Sequence, residues 1–542
     1  MLYVLPFLLA MVITMLMLPV WGRLAARWHI VDQPGERKMH KSPIPRIGGF
    51  AMVIGVAVGA LAVVPLEARD RYCLLAAGLV ALFGGLDDRF DLDYRLKLIG
   101  QLLAAAIVVF GANVGIHEIT LDDRVPLPEW LSIPLSLLFL VGITNAINLA
   151  DGLDGLAGGM MFLTLCAIAM LAYGGGELAC AALALTFAGA VLGFLRANTY
   201  PASVFMGDAG SQLLGFAVGV LSLRATQGSG TVSTAIPVLL LALPILDTLS
   251  VTVQRLSEGR SPFHADKNHI HHKLLTLGFT HHEAVMVIYA VQADLFLLAY
   301  WMRYESDLAI LGAVSAFFVL AIVTLRTAIH RGWRFRAAAT TARRMTMSRF
   351  SQGLFEPGRL QHWSGAAVAV ALGAYAALVM SETASLSGDV RLLLIALLAV
   401  TIVWLAILRI RPLALIEKGA LYVTVAVLVY FDTAIVHDPL WSVVNWGAVL
   451  LAALATLVRV RLSPDRRFEL NSQDLIVLFV ALVVPSLPGS MALPHGGAIG
   501  IAKLVVLFYA TEVLVSRTEL PVVWLRVGIA TVLTGLILRP ML

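Results

Sequence analysis

Charge is scarce in this sequence. Asp, Glu, Lys and Arg make up 13% of its 542 residues, about half the ~25% of a soluble domain. That shortage excludes a soluble globular enzyme. Disorder is excluded too, because 59% of the chain is hydrophobic and disordered segments are poor in apolar residues. Cysteine is nearly absent: Cys73, Cys166 and Cys180 all lie inside apolar runs. They offer neither a disulfide framework nor a CxxC metal site. A large excess of one charge sign is also missing. The formal net charge of +5 is weak support for a nucleic-acid partner and suits a membrane protein whose basic residues gather on one side.

Long apolar runs are what the sequence has in abundance. A bilayer-crossing helix takes ~20 apolar residues. Runs at Leu2–Val20 and near 47–65, 72–86, 97–115, 131–150, 156–173, 178–196, 209–225, 233–255, 283–302 and 306–325 predict about eleven spans. Further runs near 364–380, 390–409, 419–436, 440–460, 475–488, 498–515 and 522–540 predict about seven more. The expected fold class is an all-α polytopic integral membrane protein. No basic residue precedes the first run, and Arg23, Arg27, Arg37 and Lys38 follow it. That order predicts a retained helix with its N-terminus outside rather than a signal peptide. The inner loops are then 21–46, 87–97, 148–158, 196–208, 255–282 and 326–362. They hold most of the Lys and Arg of the first half, as the positive-inside rule requires. The Arg-rich loop divides the chain into a membrane domain (1–325), a cytoplasmic linker (326–362) and a C-terminal membrane region without assigned function (363–542). In the outer loop Gly115–Trp130, alternation through His117, Glu118, Ile119, Thr120 and Leu121 suggests a short hairpin.

Ionisable residues near a membrane are expensive and mark function. Here they collect at the inner ends of spans: Asp87, Asp88 and Asp91; Asn145, Asn148, Asp151 and Asp154; Asn198 with Gly207-Asp208-Ala209-Gly210-Ser211; and His264 through Lys273. On one side of the bilayer they could line a single cavity. Asp87 and Asp88 adjoin, so on a helix they point ~100° apart and differ in role. Asp151 and Asp154, three apart, could share a helical face. These carboxylates, with Asn148 and Asn198, are hard oxygen donors that suit Mg²⁺ completed by substrate phosphate oxygens. The run His269, His271, His272 does not match a zinc spacing. With Lys267, Lys273, Arg255 and Arg260 it reads as a grip for an anion or sugar phosphate. His281 and His282 read as surface residues. Loop 32–49 is stiffened by Pro and Gly and carries Arg37, Lys38, Lys41 and Arg46, a candidate for steering phosphate.

These motifs, in this order and spacing, resemble one family: the polyprenyl-phosphate N-acetylhexosamine-1-phosphate transferases. The matching stretches are Pro45–Gly49, Gly84–Arg89, Asn145–Leu156, Asn198 with Val204–Ser211, Leu243–Ser250 and Ser261–His272. The last resembles the N-acetylglucosamine branch. The resemblance spans about residues 1–325. It implies transfer of N-acetylhexosamine-1-phosphate from a UDP-sugar to polyprenyl (undecaprenyl) phosphate. The products are a polyprenyl-diphospho-sugar and UMP, and the step opens a cell-surface polysaccharide pathway. It implies Mg²⁺, with Mn²⁺ as a substitute, a bacterial inner membrane, a site facing the cytoplasm and no nucleic acid, and it admits a homodimer. By the same resemblance Asp208 is the metal ligand, joined by Asp88. Asp87 and Asp88 are the catalytic pair, with one a candidate base. Asn198 lies beside the reacting phosphates. Asp151 and Asp154 are on the nucleotide side, and His269, His271 and His272 belong to the sugar and diphosphate loop. Lys38, Arg46, Asn148, Arg260 and His264 complete the expected substrate contacts. Attack by an Asp and direct attack by the lipid phosphate both stay open. The rival classes are a lipid-linked sugar transporter or flippase and an assembly scaffold. Transporters place polar residues near the bilayer midplane, whereas here they sit at span ends on one side.

Overall fold

The computed structural model describes residues 4–28, 30–33, 43–227, 232–261, 268–335 and 357–381, and beyond them parts of 391–432, 439–461 and 503–538. In chain order the helices are α1 Val4–Trp28, α2 Gly48–Val63, α3 Ala68–Phe90, α4 Tyr94–Ala106, α5 Glu129–Ala150, α6 Leu156–Gly174, α7 Leu178–Asn198, α8 Gly207–Gln227, α9 Ile236–Leu240, α10 Ala242–Ser257, α11 Ile270–Thr276, α12 His281–Trp301 and α13 Asp307–His330. Each apolar run expected up to residue 325 falls on a helix, and the run 233–255 falls on two. It breaks at Leu241, between α9 and α10. Pro237 and Pro244 stand in the first turns of these helices, where the missing amide proton leaves no bond unmade.

Among the described residues, eight helices are long and apolar enough to cross a membrane. The outward apolar surface agrees. α13 has a mean hydropathy of 2.7 over a window only 11% buried, a surface that water would disfavour and lipid accepts. The expected hairpin forms: β3 Glu118–Thr120 pairs antiparallel with β4 Arg124–Pro126. A second pair, β1 Val31–Asp32 with β2 Ile44–Pro45, leads into α2.

Helix α8 is the centre of this part of the chain. Ala209 through Thr226 are all buried, and α2, α3, α5 and α6 pack around them. α1 packs on α2 and α7. A helix apolar all round belongs in an interior, and α8 carries its polar residues at its ends.

The chain divides into two compact units, Met1–Ala338 with Asn471–Ile476, and Ala339–Leu470 with Val477–Leu542. Within the second, α14 Pro357–Ser381 packs on α15 Pro439–Arg461 and α16 Val522–Ile537. Its interior holds a polar knot. Lys503 Nζ lies 2.7 Å from Asp432 Oδ2 and 2.8 Å from Asn445 Oδ1. The Tyr375 hydroxyl donates to Asp432 at 2.9 Å, and Asn445 Nδ2 to its other oxygen at 3.1 Å. An unpaired ion there would cost several kcal/mol; the mutual bonds offset that cost and fix which helix faces meet.

Candidate active site

Segments far apart in sequence meet in a cavity of about 500 Å³ lined by Arg46, Asp88, Asn148, Asp151, Asp154, Asn198, Asp208 and His272, among others. The N-terminus of α8 builds its wall. Gly207 takes φ +70°, and a Cβ there would meet Asp88 Oδ2 at 2.5 Å. Asp88 reaches from α3 and accepts the backbone amides of Asp208 at 2.9 Å and Ala209 at 3.0 Å. It thereby satisfies donors that a helix start leaves unpaired and opposes the positive end of the helix. The neighbouring helices come in backbone to backbone. A Cβ on Gly49 would meet the Gly210 nitrogen at 2.2 Å, and one on Gly84 the Asp208 carbonyl at 2.5 Å. Two of the motif glycines thus exist so that α2 and α3 can touch Asp208–Gly210.

On one side of Asp208 stands Lys97, from α4. Its Nζ is 3.1 Å from Asp208 Oδ2 and also pairs with Asp87. The Asp87 and Asp208 carboxylates thus share the Lys97 ammonium. Asp87 also accepts the Leu92 amide at 2.8 Å. Asp87 and Lys97 are not in the cavity wall. Their chain neighbours Leu86, Leu96 and Leu98 are exposed. An amide chain supports Asp208 from below: Gln212 approaches it at 3.5 Å, Gln101 donates to Gln212 at 3.1 Å, and Asn145 donates to Gln101 at 2.6 Å.

On the cavity side, Asp151 and Asp154 do not share a helical face as expected. Both lie in the turn between α5 and α6, where α5 ends and Gly155 takes φ +80° to start α6. Asp154 accepts the Ala202 amide at 2.9 Å. Burial, with Asp208 and Asp154 close by, pushes the Asp151 carboxyl up to about 7. Asn198 is tied on both sides. It accepts from the Gly155 amide and donates to the Val204 carbonyl, each at 2.9 Å, so it clamps two wall loops together. Asn148 donates to the Ser211 hydroxyl at 2.8 Å. Arg46 lines the cavity and is ion-paired with buried Asp32.

The histidines divide. His269 Nδ1 lies 2.8 Å from Asp247 Oδ2, and Asp247 also takes the Ile270 amide at 2.7 Å. His271 is buried beside Gly152, where a Cβ would meet its Nε2 at 2.4 Å. Burial first, then neighbouring His272, pushes His271 down to about 4. It is a neutral ring packed against the 151–155 turn. His272 reaches the cavity wall. His281 corrects the surface reading. It is buried and lines the cavity, its ring 4.5 Å from that of Tyr200. The Thr280–Glu283 capping box fixes the start of α12 there. Arg260 does not join the wall; it is exposed and paired with Glu258. Lys38 and His264 lie outside the described residues.

Lys97, Asp247 and Asp32 were not singled out from the sequence. Lys97 had a usable signal, a cation at the head of an apolar run. Asp32 and Asp247 had none beyond lying inside motifs.

The donors can be tested against a metal. Among the described residues no three His, Cys, Asp or Glu side chains converge on one position, which rules against a zinc centre built from them. Two carboxylates that line the open cavity, Asp208 and Asp88, fit a hard divalent cation completed by phosphate oxygens and water.

The profile for "Glycosyl transferase family 4" matches residues 71–226. The chain is 38% identical over 292 residues to a Bacillus subtilis protein named as a probable undecaprenyl-phosphate N-acetylglucosaminyl 1-phosphate transferase, covering 53% of this chain and 81% of that one. It is 36% identical over 349 residues to the decaprenyl-phosphate N-acetylglucosaminephosphotransferase of Mycolicibacterium smegmatis, covering 58% and 85%. It is 30% identical over 325 residues to the undecaprenyl-phosphate alpha-N-acetylglucosaminyl 1-phosphate transferase of Escherichia coli K12, covering 58% and 87%.

Proposed function

The chain belongs to glycosyl transferase family 4, and from that membership we propose that it moves N-acetylglucosamine-1-phosphate from a UDP-sugar to polyprenyl phosphate. The products are a polyprenyl-diphospho-sugar and UMP. The relatives' names support the sugar and the lipid acceptor. The observation that carries the reading is the position of Asp208. It stands between a polar cavity on one side and the Asp87–Lys97 pair, next to lipid-exposed leucines, on the other. A water-soluble donor and a lipid acceptor need such a two-sided centre.

In this scheme the donor's nucleotide and diphosphate occupy the cavity, held by Arg46, His272 and the 151–155 turn. The acceptor's phosphate arrives on the Lys97 side. An oxygen of the lipid phosphate attacks the sugar-bearing phosphorus. The bond from that phosphorus to the oxygen of the nucleotide's α-phosphate breaks, and UMP departs with the electron pair. A phosphate monoester is largely a dianion near pH 7, so no strong base is needed. Lys97 holds the acceptor and neutralises charge that gathers as two phosphates meet. Asp87 is already paired with Lys97 and bonded to the Leu92 amide, which supports direct attack by the lipid over an aspartyl intermediate. Mg²⁺, held by Asp208 with Asp88, would supply the remaining positive charge at the phosphates. Asp88, the second ligand expected from sequence, accepts one α8 amide at each oxygen, which positions Asp208 and leaves each oxygen a lone pair for the cation.

The sidedness of Lys and Arg supports a cavity on the cytoplasmic face, and the bacterial relatives support an inner membrane. The test is UMP release by the purified protein from UDP-N-acetylglucosamine, polyprenyl phosphate and Mg²⁺ in detergent. Release should require all three. No release in a well-folded preparation would refute the assignment.

A further inference from the structure

Arg69 is the second residue of α3. Along that helix it lies about 27 Å from Asp87, close to the ~30 Å thickness of the hydrocarbon core. It therefore stands at the membrane face opposite the active-site cavity. A separate cavity of about 250 Å³ opens there, lined by Arg69, Asn113, His117 and Gln227 among others.

Several polar groups around this cavity are already committed. Asp70, the acid next to Arg69, is committed: one oxygen takes Arg224 Nη1 at 2.6 Å and the other the Glu67 amide at 2.9 Å. Glu118 of the hairpin is paired with Arg124. Gln227 is spent on the hairpin backbone, accepting the amides of His117 and Glu118 and donating to the Glu118 carbonyl. It thereby fixes His117 at the cavity. Arg69 Nε and His117 Nε2 are shut from solvent with no partner among the described residues. His117 Nδ1 lies 3.3 Å from the Ser132 hydroxyl. With that hydroxyl donating, the ring proton sits on Nε2, and both unmatched atoms are donors.

Among the described residues Arg69 has no counter-ion, and an uncompensated guanidinium is costly at a membrane. An oxyanion in the cavity lined by Arg69 and His117 would balance that charge. The surroundings say where that anion comes from. Tyr72 and Phe110 are exposed beside the cavity, with Tyr72 against Gly111, and exposed aromatics of this kind sit at the level of lipid headgroups. We propose that this cavity binds the phosphate group of a phospholipid from the leaflet opposite the active site, through Arg69 and His117.

The experiment titrates the purified full-length protein in detergent with phosphatidylglycerol or with inorganic phosphate, counting bound molecules by native mass spectrometry. The wild type should retain one lipid that Arg69→Gln loses, with apparent affinity at least tenfold weaker. Asn113→Asp is the second variant. At φ +49° Asp is tolerated as Asn is, and its carboxylate would compete for Arg69 without removing any packing. It should weaken the same lipid while transferase activity stays at the wild-type level. Equal lipid retention in wild type and both variants would overturn the site. Loss of the lipid signal to millimolar inorganic phosphate, with phosphate bound in its place, would overturn the lipid source.

Discussion

The Asp88 carboxylate accepts the backbone amide of Asp208 at 2.9 Å, so one acid of the candidate site holds another by the main chain. The two should therefore fail differently when changed. Asp208→Asn removes charge that the reacting phosphates need balanced, and should lower UMP release by roughly 10²–10³-fold with thermal stability unchanged. Asp88→Ala removes a helix cap, and should lower stability by about 1 kcal/mol as well as activity. Near-wild-type turnover of Asp208→Asn with ordinary Mg²⁺ dependence would remove it from the centre.

Lys97 is the cation shared by Asp87 and Asp208. Lys97→Gln should reduce kcat by about 10²-fold or more and raise KM for polyprenyl phosphate while leaving KM for the UDP-sugar nearly unchanged. Initial rates with each substrate varied in turn would show it. A defect confined to the UDP-sugar would put Lys97 on the wrong side of the site.

Donor choice follows from the stretch Ser261–His272 and from the relatives' names. UDP-N-acetylglucosamine should be consumed, and the bulky UDP-MurNAc-pentapeptide should not. Activity with the pentapeptide donor alone would reverse this reading.

His271 is held neutral by burial, its pKa down at about 4 from the ordinary 6.5. The unfolded chain then binds a proton at a pH where the folded one does not. The associated stability is complete above pH 6.5 and lost as pH falls toward 4, a change of about 2–4 kcal/mol. Melting curves between pH 8 and 4 should fall through that window for the wild type and be flatter for His271→Asn. Parallel curves would show that this ring does not govern the acid limb.

Every residue of the cavity belongs to the first compact unit. A chain ending at Ala338, which keeps all of that unit but Asn471–Ile476, should insert, bind nucleotide and retain transferase activity, since cuts between compact units are tolerated. A folded, nucleotide-binding truncation without transfer would mean that the second unit completes the site.

Much of this arrangement is legible in the sequence, for physical reasons. Apolar runs must be helical in lipid, so the helices followed from hydropathy. Acids at span ends had nowhere cheap to go except together, so Asp88, Asp151, Asp154 and Asp208 could be grouped before any coordinates. Partner choice was hidden. Nothing in the spacing reveals that Asp88 faces amides, that His269 faces Asp247, or that Lys97 crosses to Asp87, because those pairings depend on helix rotation and packing. Asp151 and Asp154 show the same limit: three-residue spacing implies a shared face only if the helix continues, and α5 ends at Ala150.

Gly49 and Gly84 carry no functional group, yet their backbones press against Gly210 and Asp208. A survey of substitutions across this protein would find both positions as intolerant as the acids, because any side chain there acts as a wedge that moves Asp208 away from Lys97. Sensitivity in such a survey would map where the main chains must touch as well as where the chemistry happens, and the two maps overlap at the start of α8.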